Sequence, residues 1–206
     1  MIIGTFEAHV TVRPPHGGLA DFRAACEELG VACVEIELPV GETPAQPMTA
    51  SLHHGALPEI VHQVDAIARA LAAAGFDVVR IKIEAMPDNA GVPVTDDDAA
   101  ALPANYFEYH AKLVLPPGTA ATDLAALAAA CEPHHARLSR NARARRPDGA
   151  EERFVTLRVH AGRATAEARY AALAGTLASF PKVHVEKRIC EYTVYDSDRT
   201  VDRGWL

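Results

Sequence analysis

The feature that most limits how this chain can fold is that it is written twice. Phe6-Glu7-Ala8-His9 returns as Phe107-Glu108-Tyr109-His110, and a proline pair follows each copy, Pro14-Pro15 and Pro116-Pro117. Ala24-Ala25-Cys26-Glu27 returns as Ala129-Ala130-Cys131-Glu132. Met48 to Gly55 returns as Val155 to Gly162, which aligns Thr49 with Thr156 and His53 with His160. Three matches in the same order mark a duplication. Its period, about 100 residues, is that of a domain and not of a solenoid repeat.

Each copy carries the same succession of periodicities. Thr5 to Val12 sets Phe6, Ala8, Val10 and Val12 against Glu7, His9 and Thr11, the alternation of a half-buried strand. Gly18 to Gly30 spaces Leu19, Phe22, Cys26 and Leu29 as a helix does, with Gly30 at its C-terminal end. Val31 to Leu38 alternates again. Met48 to His53 is a third strand, Ala56 to Ala74 a second amphipathic helix, and Phe76 to Glu84 a fourth strand. The second copy predicts strands near 106–115, 136–139, 154–160 and 183–195, with helices near 120–131 and 164–179. Strand, helix, strand, strand, helix, strand is the βαββαβ ferredoxin-like unit. The expected fold is therefore α+β, a tandem duplication with two four-stranded antiparallel sheets, helices on one face of each, and pseudo-two-fold symmetry. The halves are 1–86 and 105–195, forming one unit. Between them runs a Pro/Asp-rich linker, 87–104, and a polar tail follows, 196–206. The single tryptophan, Trp205, is expected to dock that tail on the body, where Arg199 and Arg203 can pair with acidic residues.

Composition sets the outer limits. Hydrophobic residues are 49% of 206 and charged residues 23%, enough for a core. No apolar run reaches the length of a membrane span. Met1 to Glu7 has no basic leader, and the four cysteines form no C-x-x-C pair, so reduced thiols in a cytoplasm are expected. The first 103 residues hold 5 Lys/Arg against 15 Asp/Glu, the rest 15 against 12. An acidic half and only 6% aromatics speak against nucleic-acid binding. No phosphate-cradling glycine loop is present and no cofactor is implied. The expected partner is a small molecule, with no nucleic acid and no membrane.

The informative surface is the sheet face opposite the helices. In the first half it is expected to carry Glu7, His9 and Thr11, then Thr49, Ser51 and His53, then Arg80, Lys82 and Glu84. In the second half it carries Glu108, His110 and Lys112, then Thr156, Arg158 and His160, then His184, Glu186 and Arg188. Two such sheets can enclose a polar cavity or join into one concave sheet. Titratable groups of both signs converge there, which is what an active site requires.

His9-Val10-Thr11-Val12 resembles the H-x-[ST]-x signature of the two-histidine phosphoesterases, which are also duplicated and use one motif per half. The resemblance implies His9 as acid or base and Thr11 as a phosphate donor. The second copy, His110-Ala111-Lys112-Leu113, places a lysine where the hydroxyl would stand. From the residues themselves, His9 and His110 are the acid–base candidates near neutral pH. Glu7 and Glu108 lie two residues away on the same face and can orient them. Thr11, His53, Arg80, Lys82, Lys112, Arg140, Thr156, Arg158 and His160 are the expected substrate-binding groups. A metal held by His9, His53 and Glu84 ranks below anion binding, because Arg80 and Lys82 would oppose a cation. The later arginines, Arg143, Arg145 and Arg146, read as a solvated loop. The expected function is a hydrolase-like enzyme acting on an anionic, phosphate-bearing substrate. The alternative is a non-catalytic metabolite-binding or interaction protein.

Overall fold

Phe6, Ala8, Val10 and Val12, expected to point to one side of a strand, are all buried. In the computed structural model they lie on β1 (Ile3–Val12). The structure describes residues 1–38, 42–141 and 146–204, without the side chains of Arg140 and Asn141. The elements that follow β1 are α1 (Ala20–Glu28), β2 (Ala32–Glu37), β3 (Ala45–Ala56), α2 (Leu57–Ala73) and β4 (Val78–Ala85). After α3 (Asp96–Ala100) come β5 (Tyr106–Leu115), α4 (Ala121–Cys131), β6 (Ala136–Asn141), β7 (Glu151–Val159), α5 (Arg163–Ala178) and β8 (His184–Asp196). The order βαββαβ thus occurs twice, as the duplication requires. No described helix is long and apolar enough to cross a membrane.

The chain divides into two units. Unit 1 holds residues 1–36, 42–92 and 192–204 of the described chain; unit 2 holds 37–38 and 93–191. In unit 1 the strands run β2-β3-β1-β4, with residues 192–196 of β8 added beside β4. In unit 2 they run β6-β7-β5-β8. Each is the ferredoxin-like antiparallel arrangement, with the first and third strands of the copy side by side. In unit 1, α2 packs on β1, β3 and β4, and Phe22 meets Phe76 edge-on at 5.4 Å. In unit 2, α5 packs on β5 and β7, where Tyr109 stacks on Tyr170 at 4.8 Å. Cys26 and Cys131 are buried on the apolar faces of α1 and α4, as their spacing predicts.

Two stretches read from sequence as irregular are built. The linker contains α3, started by a reciprocal capping box: Thr95 Oγ1 accepts from the Asp98 amide at 3.2 Å, and Asp98 Oδ2 accepts from the Thr95 amide at 3.0 Å. Asp96 then accepts from the Gly162 amide at 2.8 Å, tying the linker to the start of α5. The tail is held in unit 1 as far as Gly204. A 3-10 turn at Arg199–Asp202 buries Val201 and Asp202, and Arg203 lies 3.9 Å from Glu42 across an exposed pair. Trp205, the expected anchor, lies outside the described residues.

Candidate functional site

Cross-strand register decides which polar residues share a face, because residues directly opposite each other in an antiparallel pair point the same way. In unit 1, Glu7 pairs with Glu84, His9 with Lys82 and Thr11 with Arg80. These six share one face, as expected. The third strand does not follow. Its register sets His53 opposite Phe6 and Ser51 opposite Ala8, so Thr49, Ser51 and His53 belong to the α2 side. His54 takes the open face instead, where its Nδ1 lies 3.2 Å from Thr5 Oγ1. In unit 2 the corresponding pairs are Glu108 with Arg158, His110 with Thr156 and Lys112 with Phe154, and His160 packs against Tyr106 at 5.2 Å. The structural counterpart of His160 is therefore His54 and not His53. A slip of one residue exchanges the two faces of a strand.

That slip explains how the two central histidines are held. Thr49 points away from His9, so only its carbonyl reaches the ring, at 3.0 Å from Nδ1. A carbonyl cannot donate, so Nδ1 carries a proton and Nε2 is the atom that titrates. Thr156 lies directly opposite His110, and its hydroxyl meets Nδ1 at 3.0 Å. On the other side of each ring stand two carboxylates. His9 Nε2 is 3.5 Å from Glu84 and 3.8 Å from Glu7. His110 Nε2 is 3.1 Å from Glu108 and 4.0 Å from Glu191. His9 and Glu84 are 16% and 2% exposed, and Glu7 is 32% exposed, so the ring can be approached past Glu7. Burial alone would lower the pKa of His9. The hydrogen bond and charge of Glu84, with the charge of Glu7, outweigh burial and the opposing Lys82 and raise it above the ordinary imidazole value.

The expected anion-binding cations are engaged by carboxylates. Lys82 Nζ is 2.6 Å from Glu84, which also accepts from the Thr193 hydroxyl at 3.2 Å. Arg80, expected to hold substrate, is instead closed by Asp196 at 2.6 Å and Asp202 at 3.1 Å. Arg158 pairs with Glu108 and lies 4.9 Å over the Tyr106 ring. Lys112 joins Glu152 at 2.8 Å and Glu186 at 2.9 Å, and Arg146 joins Glu186 at 2.7 Å. Arg146 opens a turn closed by the Gly149 amide on its carbonyl, and from that partly exposed loop it joins a four-charge network. That network holds Glu186 below the usual carboxylate range, through its hydrogen bonds to Lys112 and Arg146. Thr11 and Thr156 are buried on the polar faces. The Arg140 side chain, Arg143 and Arg145 lie outside the described residues.

Arg188 does not join the polar face. Its guanidinium stands 5.4 Å from the Tyr170 ring and 5.8 Å from the Tyr109 ring on the helix side, a cation–π arrangement. Glu191, which sequence alternation places elsewhere, takes the place beside His110. Among the described residues no group of three or more His, Cys, Asp or Glu is disposed to hold a metal ion. A separate cavity of about 200 Å³ lies on the helix side of unit 2, against Leu115, Leu124, Leu127 and Phe180, with Lys182 and Asp123 among the residues lining it.

No family model and no curated protein matches the chain. Among solved structures it is similar to the acetolactate synthase small subunit from Thermotoga maritima, at 14% identity over 96% of this chain and 98% of that one, with a TM-score of 0.32. It is also similar to chlorite dismutase from Candidatus Nitrospira defluvii in complex with imidazole, at 10% identity over 94% and 92%, with a TM-score of 0.29. At these scores neither likeness bears on chemistry.

Proposed function

We propose that this protein is a small-molecule enzyme for an anionic, phosphate-bearing substrate, with His9 the acid–base residue of unit 1 and His110 that of unit 2. The observation that carries the reading is the repeated constellation: in each unit a histidine has two glutamates at Nε2 and an oxygen at Nδ1, the Thr49 carbonyl in unit 1 and the Thr156 hydroxyl in unit 2. A carboxylate-supported Nε2, with the tautomer of His9 fixed by a carbonyl, is what proton transfer near neutral pH needs. Lys82, Lys112 and Arg158 are matched to carboxylates, as His9 Nε2 is by Glu84 and Glu7, so a substrate anion gains charge only by displacing one of these partners. The same matching of cations favours a second reading, a protein that binds a metabolite without turning it over. A panel of phosphomonoesters, phosphodiesters and cyclic phosphates separates the two. Turnover that falls by about 10²–10⁴ in His9→Ala or His110→Ala supports catalysis. Binding without turnover supports the second reading, and absence of both defeats the proposal.

A further inference from the structure

The face change of β3 brings together three side chains that the polar-face reading separates. Ser51 and His53 lie two residues apart on one strand, hence on the same side. Ser51 Oγ is 2.9 Å from His53 Nε2, and His53 Nδ1 is 2.8 Å from Gln63 Oε1 on α2. The amide oxygen of Gln63 only accepts, so His53 Nδ1 carries the proton. Nε2 is then an acceptor, and the Ser51 hydroxyl donates to it. The polarity is that of an activated nucleophile: hydroxyl, base, and a group that fixes the tautomer of the base. Ser51 and His53 are both partly exposed. The competing acceptor for the Ser51 proton, the Ala8 carbonyl, is farther away at 3.4 Å. This group lies on the opposite side of the unit 1 sheet from His9 and stands independently of the role proposed for that residue.

We propose that Ser51, His53 and Gln63 form an acyl-transfer site that accepts small activated esters. Ser51 Oγ attacks the ester carbonyl carbon while its proton passes to His53 Nε2, and the carbonyl π pair moves onto oxygen. Collapse breaks the bond to the leaving oxygen, which takes the proton from His53 and departs as the alcohol, leaving acyl-Ser51. Water repeats the sequence, giving its proton to His53, releasing the carboxylic acid and restoring Ser51. Gln63 is a positioning residue, acting through His53.

The test uses the full chain, a fluorophosphonate that reacts with activated serines, and p-nitrophenyl acetate. The expected result is a single phosphonyl adduct on Ser51 by peptide mass spectrometry and a stoichiometric burst of p-nitrophenol. His53→Ala is expected to slow adduct formation by about 100-fold or more. Gln63→Leu slows it about tenfold, and Gln63→Glu restores or exceeds the original rate, because a carboxylate fixes the same tautomer and stabilises the imidazolium. A merely structural hydrogen bond would not give that rescue. No adduct on Ser51, an adduct whose rate ignores His53, or a Gln63→Glu variant no faster than Gln63→Leu would each overturn the proposal. Circular dichroism of every variant ensures that the comparison is made between folded proteins.

Discussion

Arg80 offers the clearest quantitative test of the unit 1 architecture. Its side chain is 4% exposed, and its partners Asp196 and Asp202 are 0% and 5% exposed. Nε donates to Asp196 Oδ1 at 2.8 Å and Nη2 to Asp196 Oδ2 at 2.6 Å, a bidentate fork, while Nη1 donates to Asp202 at 3.1 Å. Gln46 adds a bond to Asp202 at 3.2 Å. Arg80→Met leaves two carboxylates in a dry setting with their cation removed. Breaking a buried pair in this way costs about 3–5 kcal/mol. At this chain length each kcal/mol moves the midpoint by about 2–4 °C, so a fall of about 6–20 °C is expected. Arg80→Lys keeps the charge and loses the fork, and should fall between Met and the parent. Arg80→Met combined with Asp196→Asn and Asp202→Asn removes the stranded charges and should recover most of the loss. Urea unfolding followed by far-UV circular dichroism measures the free energy, and limited trypsin digestion reports release of residues 192–204. If Arg80→Met costs less than about 1 kcal/mol, the worth of an exposed pair, the clasp is solvated and the reasoning fails.

Three other outcomes follow from particular contacts. The folded pKa of His9 is raised, so its stabilisation is fully present below the unfolded imidazole value and is lost as pH rises through the folded one. Urea unfolding followed from below the unfolded imidazole value upward into the alkaline range should show this decline. Glu84→Gln should flatten it and lower the His9 midpoint seen by NMR. A Cβ on Gly162 would sit 2.2 Å from the Thr95 carbonyl carbon, so Gly162→Ala should cost about 1–3 kcal/mol. A silent substitution in thermal unfolding would mean that the linker yields at no cost. Burial pushes the Cys131 thiol to about 11, so it should resist iodoacetamide in the folded protein at pH 8 and react on unfolding, as read by mass spectrometry.

Most strands and helices, and the polar sides of β1, β4 and β5, were legible because they are written into neighbouring residues, and the duplication because its two copies could be compared; α3 and the turn at Arg199–Asp202 were not read. Alternation at period two and at helical spacing is written into consecutive residues. Glu7, His9 and Thr11 had to share a side once their strand was recognised. The capping box at Thr95–Asp98 was equally local, and a Thr followed three residues later by Asp was a legible signal in a segment read as linker. Tertiary structure alone decided the rest. In β3 alternation sets a wholly polar row, Thr49-Ser51-His53, against a largely apolar one, Met48-Ala50-Leu52-His54, and so pointed to the wrong face: the polar row faces α2 and Leu52 is exposed. Pairing with β1 chose, and thereby separated His53 from His9 and joined it to Ser51 and Gln63. The charged residues posed the same problem at longer range. Arg80 finds its partners 116 and 122 positions away, and an ion pair between distant segments leaves no periodic trace. The composition could name the cations of the polar faces, but only the folded chain could show that carboxylates hold them.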